Sequence, residues 1–211
     1  MTVKTTAPAL EPLREGERVT RDEFERRYHA MPDVKAELIE GVVRMTSPVR
    51  IRLHGNPHAY LATWLVHYEM ETPGTLSGLN ATARLDVINE PQPDGMILIE
   101  PECGGQARIS SDDYVEHAPE FVAEVAASTA PTDIGIKREV YRKTGALEYL
   151  LWRVERKAID WFVLRDEAFE PLVPGPDGLL RSEALPGLWL DPAALVAGDV
   201  RRVLEALALG I

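Results

Sequence analysis

Hydrophobic and polar positions alternate along this chain in two periods, and the change from one to the other marks its elements. TRDEFERRYHAM opens on Thr20, with Glu23 three residues on, a capping-box pattern that predicts a short helix with Phe24 and Tyr28 on its apolar side. AELIEGVVRM places Ala36, Leu38, Val42, Val43 and Met45 around Glu40-Gly41 and predicts a hairpin. Glu37 is out of phase with Leu38 and so faces the other side of that hairpin. Leu61, Trp64, Leu65 and Tyr68 recur at helical spacing, with Pro57 in the first turn and Pro73-Gly74 as the stop.

Two strands are expected next. In one, Thr82, Arg84 and Asp86 alternate with Ala83, Leu85 and Val87; the other is GMILIE, entered through Pro91, Pro93 and Asp94. PECGGQARISSDDYVEHAP reads as a polar insertion loop with a short strand or two. EFVAEVA is then a buried-strand pattern broken only by Glu124, followed by Ser128 and Thr129 as turn or cap residues. TDIGIKREVYRKT predicts a helix ended by Gly145, which Gly135 weakens by about 1 kcal/mol relative to Ala. LEYLLWRV and AIDWFVLR read as central strands, and AFEPLVP, carrying Pro171, as an edge. VRRVLEALALGI closes the chain as an amphipathic helix.

Composition adds limits. The 211 residues suffice for one sizeable core, and residues 1–17, with three prolines, are expected to form an arm ahead of a domain over 18–211. No apolar run is long enough to span a bilayer, and the first residues lack the apolar stretch of a signal peptide. The lone Cys103 suits a reducing cytoplasm. A net charge of −11 argues against a large nucleic-acid footprint. The basic clusters are Arg50/Arg52, Arg138/Arg142/Lys143 and Arg153/Arg156/Lys157, each readable as solvated surface or as a phosphate contact.

The candidate chemistry lies between residues 94 and 137. Asp94 and Glu124 each sit on or beside an apolar strand, and a buried carboxylate is costly unless paired or holding a cation. Asp133 and Lys137, four apart, share a helix face. Two carboxylates and an ammonium are an economical set for holding Mg²⁺ or Mn²⁺ and a water against a phosphodiester. Tyr141, one turn beyond Lys137, is read chiefly as core packing. A GxSxG elbow, a P-loop, a GxGxxG turn and paired CxxC motifs are all missing from the sequence.

The order Pro93-Asp94, Glu124-Val125-Ala126 and Asp133-x-x-x-Lys137 resembles the PD-(D/E)XK nuclease superfamily and, in detail, its bacterial Uma-two family. The likeness also takes in AELIEGVVRMTSP (36–48), the His-bearing helix from 54, YRKTGALEYLLW (141–152) and LRSEALPGLWLDP (180–192). One position departs: Ala126 stands where the superfamily has lysine, and Lys137 of the next helix takes that place.

The resemblance implies a single α/β domain of restriction-endonuclease-like fold, a mixed sheet flanked by helices. It implies Asp94 and Glu124 as ligands of Mg²⁺ or Mn²⁺, Lys137 as a catalytic cation, and double-stranded DNA as substrate. Glu37 is either a further member of this metal cleft, as in that family, or a solvent-facing strand residue. His54 or His58 lines the cleft or caps the core. A homodimer would cut both strands, with the Trp161-Phe162 strand or the last helix as its apolar stripe. Two other functions stay open: an inactive nuclease-fold assembly module, and a metal-dependent hydrolase of small phosphoesters.

Overall fold

The computed structural model describes residues 10–45, 48–126 and 131–211, the side chains of 131–134 excepted. Along it run α1 (Arg21–Tyr28), β1 (Ala36–Ile39), β2 (Val42–Met45), a wide turn (Ile51–Gly55) leading into α2 (Asn56–Glu71), β3 (Thr75–Gly78), β4 (Ala83–Arg84) and β5 (Gly95–Ile99). There follow β6 (Arg108–Ile109), β7 (Val115–Glu116), β8 (Phe121–Ala126), α3 (Pro131–Thr144), β9 (Glu148–Arg153), β10 (Ala158–Arg165) and β11 (Ala168–Pro171). The chain closes with β12 (Leu180–Arg181), β13 (Trp189–Leu190), α4 (Pro192–Ala197) and α5 (Val200–Ala208).

Six strands make the main sheet in the order β11-β10-β9-β8-β5-β3. β8 and β9 are parallel, and α3 is the crossover that a parallel pair requires. The other neighbours are antiparallel. This is the mixed α/β sheet flanked by helices that the sequence predicts. On one face α2 buries Leu61, Trp64 and Leu65 against Ala123, Val125 and Leu150. Trp64, Phe121 and Trp161 meet edge to face there at 5.4–5.9 Å. α4, α5 and the β12–β13 hairpin complete that side with Leu190, Leu195, Val203 and Leu207. On the other face Val122, Tyr149 and Leu151 pack against Ile39, Val140 and Tyr141. With both faces covered, β8 is apolar nearly throughout; Glu124 is the exception.

Gly95 matters here. A Cβ at this position would stand 2.6 Å from Leu65 Cδ1 and 3.5 Å from Leu61 Cδ2. Its absence lets α2 lie directly on β5, one residue after Asp94.

Several elements differ from the sequence reading. Residues 10–17 are no arm: Leu13 is buried, and Arg27 donates to the Glu11 and Pro12 carbonyls at 2.8 and 2.7 Å and to Glu17 Oε1 at 2.7 Å. Residues 1–9 lie outside the described residues, as do Ser128 and Thr129. The strand expected over 82–87 shortens to β4, which pairs in parallel with β7 in a separate small sheet. Asp86 ends it by accepting the Ile88 N–H at 2.8 Å and Asn89 Nδ2 at 3.0 Å, a side-chain turn that outcompetes the ladder. β3 is an unexpected edge strand, and the Glu69 carboxylate covers it by accepting the Ser77 N–H at 3.0 Å. Trp161 is buried, so its strand offers no exposed apolar stripe.

α1 begins as expected, with Thr20 accepting the Glu23 N–H at 3.3 Å. It brings Glu25 beside the buried Glu90, with Arg84 Nε 2.9 Å from Glu25. Burial and the Glu25 carboxyl push Glu90 up to about 9. A carboxyl raised above its unfolded value loses its contribution as pH rises through the folded value, so stability should fall from near pH 4.5 toward pH 9. Glu90→Gln removes that titration. Urea denaturation at pH 6 and pH 9 should show the wild type losing about 2 kcal/mol or more than the variant; parallel losses would refute the assignment.

Candidate active site

The pairing of β5 with β8 sets Gly95 opposite Ala123 and Met96 opposite Val122. One step further along the same register brings Asp94 opposite Glu124. Directly opposed residues point to the same face, and like charges so placed repel unless a cation intervenes. Both carboxylates therefore emerge at the end of the sheet where β5 begins and β8 ends.

Asp94 is buried and firmly held. Its Oδ2 accepts the Val125 N–H at 2.7 Å, and its Oδ1 lies 3.3 Å from His54 Nε2. His54 Nδ1 reaches the Val125 carbonyl at 3.0 Å, so one imidazole spans both groups. The wide turn before α2 makes this possible: the Gly55 N–H reaches back to the Arg50 carbonyl at 3.2 Å and presents His54 to β8. His58, one turn on, donates from Nε2 to the Asp94 carbonyl at 2.7 Å. Its ring stacks on His54 at 5.7 Å. The Asp94 carboxylate beside it raises His54, favouring the imidazolium that donates from both nitrogens. Burial pushes Asp94 up, but the His54 bond and charge and the Val125 N–H more than offset this and hold it below its ordinary value.

Glu124 sits in the other half. Its Oε1 accepts from Lys137 Nζ at 3.0 Å and from the Tyr141 hydroxyl at 2.9 Å. Lys137 and Tyr141 are four apart on α3 and share a face. Lys137 Nζ also donates to Glu37 Oε1 at 2.9 Å, and the same Glu37 oxygen accepts the Gln92 N–H at 2.6 Å. Burial pushes Glu124 up to about 7, against the pull of Lys137. Burial alone would lower Lys137, but Glu124 and Glu37 raise it, so the ammonium stays charged.

The structure thus brings together Asp94, Glu124, Lys137 and Glu37. The solvent-facing reading of Glu37 is overturned: β1 is covered on both sides, and Glu37 is buried beneath α3. The Asp133 side chain lies outside the described residues. Tyr141 does pack in the core, yet its hydroxyl also holds Glu124; the i+4 spacing from Lys137 was the available signal. The part played by the Val125 N–H, which holds Asp94, left no trace in the sequence, because backbone groups carry none.

A cavity of about 410 Å³ opens over these groups, lined by Glu37, His54, Asp94, Glu124, Lys137 and Tyr149 among others. The Tyr149 hydroxyl is buried and has no hydrogen-bond partner among the described residues. Among the described residues, no three His, Cys, Asp or Glu side chains form a preassembled metal cage. The Asp94–Glu124 pair with the Val125 carbonyl is instead an all-oxygen partial shell. It suits a hard divalent cation that keeps several of its waters and does not suit structural zinc. Among the described residues, no helix is long and apolar enough to cross a membrane.

The Uma2 family, described as "Putative restriction endonuclease", matches residues 21–193. A crystal structure described as a putative nuclease belonging to DUF820, from Anabaena variabilis, has a TM-score of 0.62 to this fold. The two chains are 16% identical, and the likeness covers 84% of this chain and 99% of the other. At that identity it is a likeness of fold. No curated protein matches.

Proposed function

The chain belongs to the Uma2 family of restriction-endonuclease-like proteins, and from this we propose that it is a Mg²⁺- or Mn²⁺-dependent endonuclease hydrolysing DNA phosphodiester bonds. The observation that carries the reading is the set of opposed carboxylates, Asp94 and Glu124, with Lys137 bound to Glu124 at the floor of one cavity. Asp94, Glu124 and the Val125 carbonyl would hold the cation. Bound there, it supplies charge neutralisation at phosphorus and a water acidified for attack.

The protein's own groups do the rest. Lys137 places a fixed ammonium where negative charge grows on the transferring phosphoryl oxygens. Glu37 and the Gln92 N–H fix that ammonium, since Lys137 and Gln92 meet on one Glu37 oxygen. Tyr141 holds one oxygen of Glu124 and leaves the other to the cation. His54 holds Asp94 and the Val125 carbonyl in a single orientation. A cavity open over the carboxylates favours catalysis over a bare assembly module. Cytoplasmic location and a homodimer that cuts both strands belong to the same reading.

Calorimetric titration of Mn²⁺ and Mg²⁺ into wild type and Glu124→Ala, with plasmid nicking alongside, tests it. Binding and nicking in the wild type, both lost in the variant, are expected. Nicking retained by Glu124→Ala would sink the assignment. His54→Ala should weaken Mn²⁺ binding about 10- to 100-fold, as loss of a ligand's supporting hydrogen bond does elsewhere. Unchanged or tighter binding would remove His54 from that role.

A further inference from the structure

A chain of net charge −11 can hold a polyanion only through a local set of cations. The three basic clusters seen in the sequence fare differently in the fold. Arg142 donates to both oxygens of Glu139, at 2.9 and 2.6 Å. Lys143 lies 3.8 Å from Glu40 and 3.9 Å from Glu139. Arg138 rests on the Phe162 ring, and Arg153 is paired with Asp160 at 2.5 Å. These cations are already engaged.

Four others are not. The side chains of Arg50, Arg52, Arg156 and Lys157 are exposed and have no carboxylate, hydrogen-bond or ring partner among the described residues. They converge on one place. Arg50 and Arg52 belong to the wide turn whose His54 bonds the Val125 carbonyl, and Val49 beside Arg50 lines the cavity. Arg156 and Lys157 belong to the tight β9–β10 turn, entered where the Val154 N–H donates to the Ala126 carbonyl at 3.1 Å. Val125 and Ala126 are the last residues of β8, directly after Glu124. The end of β8 is thus bonded to one turn through Val125 and to the other through Ala126, and each turn carries two unengaged cations. Glu155 is the acidic residue of the second turn.

We propose that Arg50, Arg52, Arg156 and Lys157 form a rim that grips the nucleic-acid backbone on either side of the bond presented to Asp94 and Glu124. This rests on the reading of those carboxylates as a nuclease centre and assigns its substrate contacts. Guanidinium forks match phosphate geometry, and cations left unpaired lose no internal ion pair on binding.

The test is fluorescence anisotropy of a labelled DNA duplex in Ca²⁺ across a salt series. The proteins are wild type, Arg50→Ala/Arg52→Ala, Arg156→Ala/Lys157→Ala, and Arg201→Ala on α5 as control. Each double variant should bind about tenfold or more weakly, with the log–log salt slope reduced by roughly 0.9 per cation removed. Mn²⁺ binding and hydrolysis of bis(4-nitrophenyl) phosphate should stay at wild-type levels, and Arg201→Ala should behave as wild type. Unchanged slopes overturn the rim while leaving the metal centre standing. Wild type that binds neither duplex, single-stranded DNA nor RNA overturns it as well, even if the small diester is cleaved. Single strands or RNA bound with the expected slopes support the rim and change the preferred polymer. Failure of the centre reads separately, as diester hydrolysis retained in Glu124→Ala.

Discussion

Asp94→Asn should lower metal-dependent phosphodiester hydrolysis by at least about a thousandfold, some 4 kcal/mol of transition-state stabilisation, while the chain stays folded. The amide is nearly isosteric. Its oxygen can still accept the Val125 N–H, which now reaches Asp94 Oδ2 at 2.7 Å. Its NH₂ then faces His54 Nε2, which accepts once the ring proton sits on Nδ1 toward the Val125 carbonyl. Every hydrogen bond therefore has a substitute, and stability should change by only about 1 kcal/mol. What disappears is the negative charge and its free lone pairs, which a hard cation requires. Thermal melts, Mn²⁺ calorimetry and plasmid nicking on one preparation separate the two effects. Nicking within tenfold of wild type, by a folded variant, would remove Asp94 from the centre.

The elements that carry this site were legible because they depend on local pattern. The α2 stripe of Leu61, Trp64, Leu65 and Tyr68 and the apolar runs around Asp94 and Glu124 have unambiguous periods, and all are buried as those periods require. Lys137 was placed on its helix by local pattern, and in the site by the family resemblance. The features missed depend on pairing between distant segments. β12 and β13 are two residues each, too short to show a period. β3 ends in Gly78, and its partner strand and Glu69 define it more than its own residues do.

The site divides in the same way. Alternation sets Glu37 against Leu38 but says nothing about what covers each face; here α3 covers the Glu37 side. The opposition of Asp94 and Glu124 follows from the antiparallel register of β5 and β8, which the long intervening chain does not reveal. His54 reaches Asp94 from the turn before α2, where the Gly55 N–H closes onto the Arg50 carbonyl one residue wider than an α-turn.

Lys137→Met should destabilise the fold by about 3 kcal/mol at pH 8, by stranding two buried carboxylates without their shared counter-charge. The Lys137 side chain is one-fifth exposed, with Glu37 and Glu124 more buried than it, so water offsets only part of the loss. The pH dependence follows from Glu124. Burial already pushes its carboxyl up to about 7 with the ammonium in place, and removing the ammonium raises it further. A carboxyl raised above its unfolded value of 4.5 is protonated in the folded chain at pH 5 and contributes no buried charge there. As pH rises through the folded value the charge must form or the proton must be retained at a cost, and stability is lost. The penalty of Lys137→Met should therefore be smaller at pH 5 than at pH 8. Glu124→Gln in the Lys137→Met background should recover much of the loss at pH 8, because the amide is neutral and can still accept the Tyr141 hydroxyl. Urea denaturation of wild type, both single variants and the double variant, at both pH values, gives the coupling energy directly. Additive effects, or a penalty equal at pH 5 and pH 8, would show that Lys137 does not neutralise Glu124, and the electrostatic account of the site would fail with it.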